Sequence, residues 1–172
     1  MSCILNSGIP LGCLDSTAGL KSVLIGKFNA TGTTFTEDSN QVITGITSTE
    51  TFYQFKFRKQ TGNFTEELAV SVENGTKMNT QTLTLIFHKL ETAKRNAILL
   101  LAKTDLHVIV ETQNGEYWFL GKVNAMNLTT GSGASGQAFG DLNGYTLVFG
   151  GVEPDYAYEI SSTAVGTLTT SA

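Results

Sequence analysis

The residues best suited to chemistry in this chain are few and scattered. His88 and His107 are the only histidines, and Cys3 and Cys13 the only cysteines. A zinc site takes three or four ligands at recurrent short spacing. Neither histidine lies beside a cysteine pair or in a His-x-x-x-His spacing, so both read as structural residues, one at a strand–helix junction and one within a strand. Serines are plentiful, but the G-x-S-x-G elbow that exposes a nucleophilic serine is absent. Gly131-Ser-Gly-Ala-Ser-Gly136 matches G-x-G-x-x-G in letters. A phosphate cradle needs a strand before that motif and a helix N-terminus after it. Here Gln137-Ala-Phe-Gly-Asp and a further strand follow, which predicts an interstrand loop. Glu66 and Glu67 are neighbours in a strand and point to opposite faces, so they do not make a carboxylate pair. Tyr117-Trp118-Phe119 offers rings for stacking a sugar, yet the same alternation sends at least one of them into the core. These residues predict no catalytic activity, no metal and no cofactor.

Four glycosylation sequons begin at Asn29, Asn63, Asn74 and Asn127. They would mark surface loops in a secreted protein. The first six residues lack a basic segment followed by a long apolar run, and in so threonine-rich a chain chance matches are the expectation. Two cysteines in an irregular N-terminal stretch then read as free thiols of a protein made inside a cell. No apolar run approaches the length needed to span a bilayer, so no membrane is expected.

The elements that must position these residues are mostly strands. The 172 residues suit one domain, with 41% hydrophobic residues and only 15% charged ones, against a usual charged share of about 25%. A net charge of −4 argues against a nucleic-acid grip, which depends on Lys and Arg. Strands are expected at 21–28, 42–46 and 51–58, the last alternating Tyr53, Phe55 and Phe57 against Gln54, Lys56 and Arg58. Residues 29–40 read as a polar loop. Residues 90–103 carry the one convincing helix, with Leu90, Ala93, Ala97, Ile98 and Leu101 on a single stripe. A second hairpin, 106–112 and 116–123, turns near Asn114-Gly115. Residues 131–141 read as a glycine-rich loop, 145–149 as the last strand, and the chain after Glu153 as an extended polar tail. The division predicted is an arm at 1–19, a β domain at 20–153 containing the helix 90–103, and an extension at 154–172. The fold class expected is mainly β: a β-sandwich or partly open barrel with one flanking helix and a long protruding hairpin.

That hairpin runs from 64 to 88 around Asn74-Gly75, a strong type I′ turn signal because both central positions need φ > 0. Phe64, Leu68 and Val70 in one arm and Leu83, Leu85 and Phe87 in the other read as core. Between 71 and 82 only Val72 and Met78 are apolar. The polar part of each arm would extend roughly 25–35 Å at ~3.3 Å per residue. An isolated two-stranded ribbon is marginal in water, so a partner must cover it, and another copy of the chain is the simplest.

The order of elements, with the segments FRKQTGNFTEEL, VENGT, LIFHKLETAKRNAILLLAK, NGEYWFLGK and AFGDLNGYTLVFGG, resembles tail tube proteins of tailed bacteriophages and contractile injection machines. It is similar in particular to tail-tube-like sequences from phages and prophages of Bacteroidetes-type hosts, over residues 11–153. The resemblance implies a non-enzymatic virion protein, made in the host cytoplasm, whose hexameric rings stack into a tube for DNA delivery. It implies partners in the tape measure, terminator and baseplate proteins, with DNA passing through the lumen unbound. It places Val72, Glu73, Asn74, Gly75, Thr76, Lys77 and Met78 at a bridging hairpin tip between subunits. Two alternatives are a carbohydrate- or receptor-binding sandwich using Tyr117, Trp118 or Tyr156, and a terminator or baseplate hub sharing the tube fold.

Overall fold

Two stretches of the sequence, Val23-Leu24-Ile25 and Val108-Ile109-Val110, are apolar at every position, the mark of strands buried on both faces. The computed structural model describes residues 8, 9 and 11–168 and the backbone of 170 and 171. The expectation for Cys3 lies outside the described residues, and Cys13 is exposed. The elements in chain order are β1 (Leu20–Lys27), β2 (Thr33–Glu37), β3 (Ile43–Ser48), β4 (Phe52–Phe55), β5 (Gly62–Ser71), β6 (Thr76–His88), α1 (Thr92–Leu101), β7 (Leu106–Thr112), β8 (Tyr117–Leu120), β9 (Asn127–Ala134), β10 (Gly144–Glu153), β11 (Tyr158–Ile160), α2 (Ser162–Thr167) and β12 (Thr170–Ser171). The strands form two sheets packed as a sandwich. The larger has the order β12-β4-β1-β7-β8-β11-β3-β2, and the smaller is β5-β6-β10-β9. Neither closes into a barrel, and α1 flanks the sandwich.

The larger sheet carries a core on each face. Val23, Ile25, Val108, Val110 and Leu120 pack against Leu83, Leu85, Leu147 and Phe149 of the smaller sheet. Leu24, Ile109 and Phe119, pointing the other way, join Ile43, Ile46, Phe52 and Ile160, with Ala164 and Leu168 contributed around α2. Strict alternation along β1, β7 and β8 thus feeds two cores in turn. The smaller sheet has only one covered face, so its strands read Leu-Thr-Leu-Thr instead of continuously apolar.

Several elements differ from expectation. The stretch read as a polar loop contains β2, whose Phe35 packs edge-on at 5.1 Å from Phe119; one aromatic among threonines was too weak a signal. The predicted glycine-rich loop begins as strand, since Gly131 and Gly133 pair with Leu147 and Tyr145. The helix is confined to α1, with Leu90 and Leu99 exposed and Ile98 and Leu101 packed on the core. Its start has no side-chain cap from Glu91, which instead pairs with Lys89 at 2.6 Å and Lys94 at 3.0 Å. The chain after Glu153 does not trail away as a tail. Ala157, Ile160, Ala164 and Leu168 are buried, and Ser161 caps α2 by accepting from the Ala164 N–H at 3.2 Å. Small residues spaced through a polar segment hid that packing from a reading based on hydropathy.

His107 is buried beside Phe28, Phe35 and Phe119, with ring centroids 4.6, 6.2 and 5.2 Å away. Its Nδ1–H donates to the Gly121 carbonyl at 2.8 Å, while Nε2 has no partner. Burial lowers the imidazole pKa and outweighs the raising effect of the Gly121 carbonyl. The unfolded chain therefore binds a proton that the folded one refuses, and stability falls as pH drops through about 6.5. A His107→Leu variant should be less stable at neutral pH by about 1 kcal/mol for the lost hydrogen bond. Its stability deficit relative to the parent should shrink as pH falls to about 5 in urea titrations. A deficit that is constant with pH would show that this imidazole does not titrate as described.

Candidate assembly surfaces

All seven residues placed at the hairpin tip, 72–78, are exposed. Val72 is 93% and Met78 50% accessible. The turn is not the two-residue type that Asn74-Gly75 suggested. Ser71 pairs with Thr76, leaving a four-residue connection in which only Gly75 has a positive φ, at 61°. The Asn74 N–H donates to Ser71 Oγ at 3.3 Å. A residue with a Cβ at Gly75 would be strained there.

The arms also differ from the expected free polar ribbon. Strand β6 pairs with β10 from Asn79 opposite Glu153 to His88 opposite Gly144, so most of the hairpin is one half of a four-stranded sheet. Asn79 and Gln81, read as exposed polar positions, are buried. The Glu66 carboxylate accepts from Asn79 Nδ2 at 2.8 Å, from Gln81 Nε2 at 3.2 Å and from the Ala157 N–H at 2.6 Å. Gln81 Oε1 in turn accepts from the Gly121 N–H at 3.0 Å. Glu153 accepts from the Val123 and Asn124 N–H groups, and burial nonetheless raises its pKa. The base of the hairpin is thus fixed to the larger sheet by polar clamps, with an exposed ion pair, Lys77 to Asp155, further out.

Beyond those clamps the hairpin overhangs. Leu68 and Val70, read as core, face the same side as Phe64 but lie past the edge of the larger sheet, and they are 40% and 64% accessible. The alternation was legible; the extent of the covering sheet was not. The overhang leaves Leu68, Val70, Val72 and Met78 exposed, with Leu68 and Val70 on one face of the ribbon and Met78, opposite Ala69, on the other.

Two further surfaces had no sequence signal. Strands β5 and β9 are the two edges of the smaller sheet, and among the described residues no strand pairs with the outer side of either. The outward face of that sheet, fixed by the register, carries Thr65, Thr80, Thr82, Thr84, Thr130 and Thr146. It holds Glu67 and His88 but no lysine or arginine among the described strand residues.

The remaining sequence candidates stay dispersed. His88 offers its carbonyl to Lys94 Nζ at 2.6 Å, and among the described residues no group of three His, Cys, Asp or Glu side chains is placed to hold a metal. No helix follows Gly136. Asp141 instead accepts from Gln137 and Ala138 N–H groups to close a turn. Phe119 is buried, while Trp118 and Tyr156 line a recess of about 310 Å³ with Asn40, Gln41, Asp155 and Glu159. Asn29 braces its own turn by accepting from the Gly32 N–H at 2.9 Å, and Asn127 donates to Asp105.

No protein-family model matches the sequence, and no curated protein matches it. Among solved structures, a chain from the virion of a native gene transfer agent (GTA) particle is similar, with a TM-score of 0.39 and 8% identity, covering 80% of this chain and 95% of that one. A likeness of that degree carries no argument about what this chain does, which rests on the surfaces described above.

Proposed function

We propose that this chain is a non-enzymatic structural subunit of a virion, a tail tube protein whose copies join head to tail into rings that stack as a conduit for DNA. The observation that carries the reading is the pair of edges, β5 and β9, on opposite sides of one antiparallel sheet, both unpaired among the described residues. Open edges template association unless they are paired or blocked. Four alternating strands leave β5 and β9 antiparallel to each other, so β9 of one copy meets β5 of the next in register with the existing pattern. A contact between two different surfaces repeats, and it makes a ring where the rotation closes. The resemblance in sequence supports six copies, and with it tape measure, terminator and baseplate partners.

In such a ring the threonine face of the smaller sheet lines the channel. A wall of threonine hydroxyls interspersed with Ile86, Val148 and Val152, without lysine or arginine, gives phosphate nothing to hold, which suits passage of DNA without binding. The apolar overhang at 68–78 then bridges to a neighbouring subunit or ring.

Cross-linking tests the edge pairing. In a Cys3→Ser, Cys13→Ser background, Asn63→Cys on β5 combined with Thr130→Cys on β9, which the register sets at one level of the sheet, should give a ladder of covalent oligomers with a short bis-maleimide. Asn63→Cys alone should give none. Equal cross-linking by the single variant, or none by the pair, would contradict head-to-tail pairing. A second reading, a carbohydrate-binding module, is favoured by the Trp118–Tyr156 recess with its amides and carboxylates; glycan-array binding by a stable monomer would support it instead.

A further inference from the structure

The loop joining β9 to β10 presents a large aromatic side chain to solvent on a braced support. Phe139 is fully exposed. Beneath it the Asp141 carboxylate accepts from the Gln137 N–H at 2.9 Å and the Ala138 N–H at 2.8 Å. The Asp141 N–H returns a bond to the Ala138 carbonyl at 3.1 Å. Those bonds hold the Asp141 pKa below its ordinary value, so the turn is closed at neutral pH. The base of the loop is tied to the start of α1, since Lys89 and Leu90 donate to the Asn143 carbonyl and Oδ1 at 2.6 and 3.2 Å. With the loop backbone already fixed by these bonds, docking Phe139 has only the side-chain rotamer left to order, the condition under which an aromatic becomes an anchor.

A matching receptor lies along the other half of the same helix. A groove of about 530 Å³ opens between α1 and the strands β1 and β4, lined by Ile25, Tyr53, Ala97, Leu100 and Leu101 among others, with Lys27 as its one charged residue. Leu100 is 69% and Tyr53 53% accessible, so among the described residues no side chain fills the groove. The loop at 135–143 in turn carries one charged residue, Asp141. Projecting aromatic and apolar groove, with opposite single charges beside them, are complementary in shape class and in sign.

We propose that Phe139 of one copy inserts into the α1–β4 groove of the next, an inter-subunit contact separate from both the hairpin tip and the sheet edges. It rests on the reading of this chain as a self-assembling subunit, and it names the residues of one of its contacts. Because projection and groove are different surfaces, the contact is heterologous and propagates.

Replacing Phe139 with the photo-cross-linker p-benzoylphenylalanine in the full chain tests this directly. Irradiation of the assembled protein should produce intermolecular adducts on the peptide containing Leu100, identified by mass spectrometry. Phe139→Ala and Leu100→Glu, both at exposed positions, should each raise the concentration needed for assembly at least tenfold in sedimentation. An equimolar mixture of the two variants retains one intact contact and should recover dimers that neither forms alone. Rings or tubes that persist unchanged in both variants, with adducts elsewhere, would overturn this contact and leave the assembly reading standing. A parent chain that stays monomeric at every concentration would overturn both.

Discussion

A chain from which residues 72–78 are removed, with Ser71 joined to Asn79 through Asn-Gly, is expected to fold as a monomer and to lose assembly. Residues 69–71 and the two inserted ones then form a five-residue loop closed by the native Leu68–Asn79 pair. The folded state gives up little. Every residue removed is exposed, β6 retains its pairing with β10 from Asn79 onward, and the Glu66 clamp on Asn79, Gln81 and Ala157 is untouched. What is sacrificed is the exposed end of the β5–β6 ladder, Ala69–Met78, Val70–Lys77 and Ser71–Thr76, together with the Lys77–Asp155 pair, whose side chains are 54% and 30% accessible and which contributes about 0–1 kcal/mol. Assembly gives up Val72 and Met78, the outermost apolar groups of the overhang. Buried interface anchors contribute about 2 kcal/mol or more, so the concentration for assembly should rise at least about thirtyfold. Matched thermal melts with light scattering measure both halves. Tubes forming as in the parent would remove the hairpin from the account.

The second large effect concerns stability. Gly144→Ala should destabilise the sandwich by roughly 3 kcal/mol or more, the upper end for forcing atoms into a packed site. Its φ is not in the left-handed region, so conformational freedom is not the reason. A Cβ at Gly144 would stand 2.1 Å from the Phe87 carbonyl oxygen and 3.0 Å from His88 Cα, and both are backbone atoms of the paired strand that cannot swing aside. Gly140→Ala, which meets nothing within 4 Å, is the control and should be neutral. Equal melting of the two variants would show that β10 and β6 can separate there without cost.

The same glycine shows how much of the fold was legible. The last strand was visible from 145, but the tight approach of Gly144 to β6 depends on which strands pair, and periodicity does not carry pairing. The mainly β class, the strands at 21–28 and 106–112 and the hairpin followed from alternation and turn signals; that those two strands are buried on both faces did not. Nor did the partition of their residues between two cores. Leu68 and Val70 were assigned to the correct face, yet they are exposed because the opposing sheet ends before them. Asn79 and Gln81 look like solvent residues in any hydropathy reading. They are buried because Glu66, Gly121 and Ala157, distant in sequence, meet them with hydrogen bonds. The open edges β5 and β9 left no trace in composition, since an unpaired strand and a paired one can share one alternation.

If this chain builds a conduit from copies of itself, negative-stain electron microscopy of the purified protein will show it. Rings with a central channel, stacking into tubes as concentration rises, are the predicted result. A stable monomer at every concentration, with no assembly on adding tape measure or initiator proteins, would contradict it.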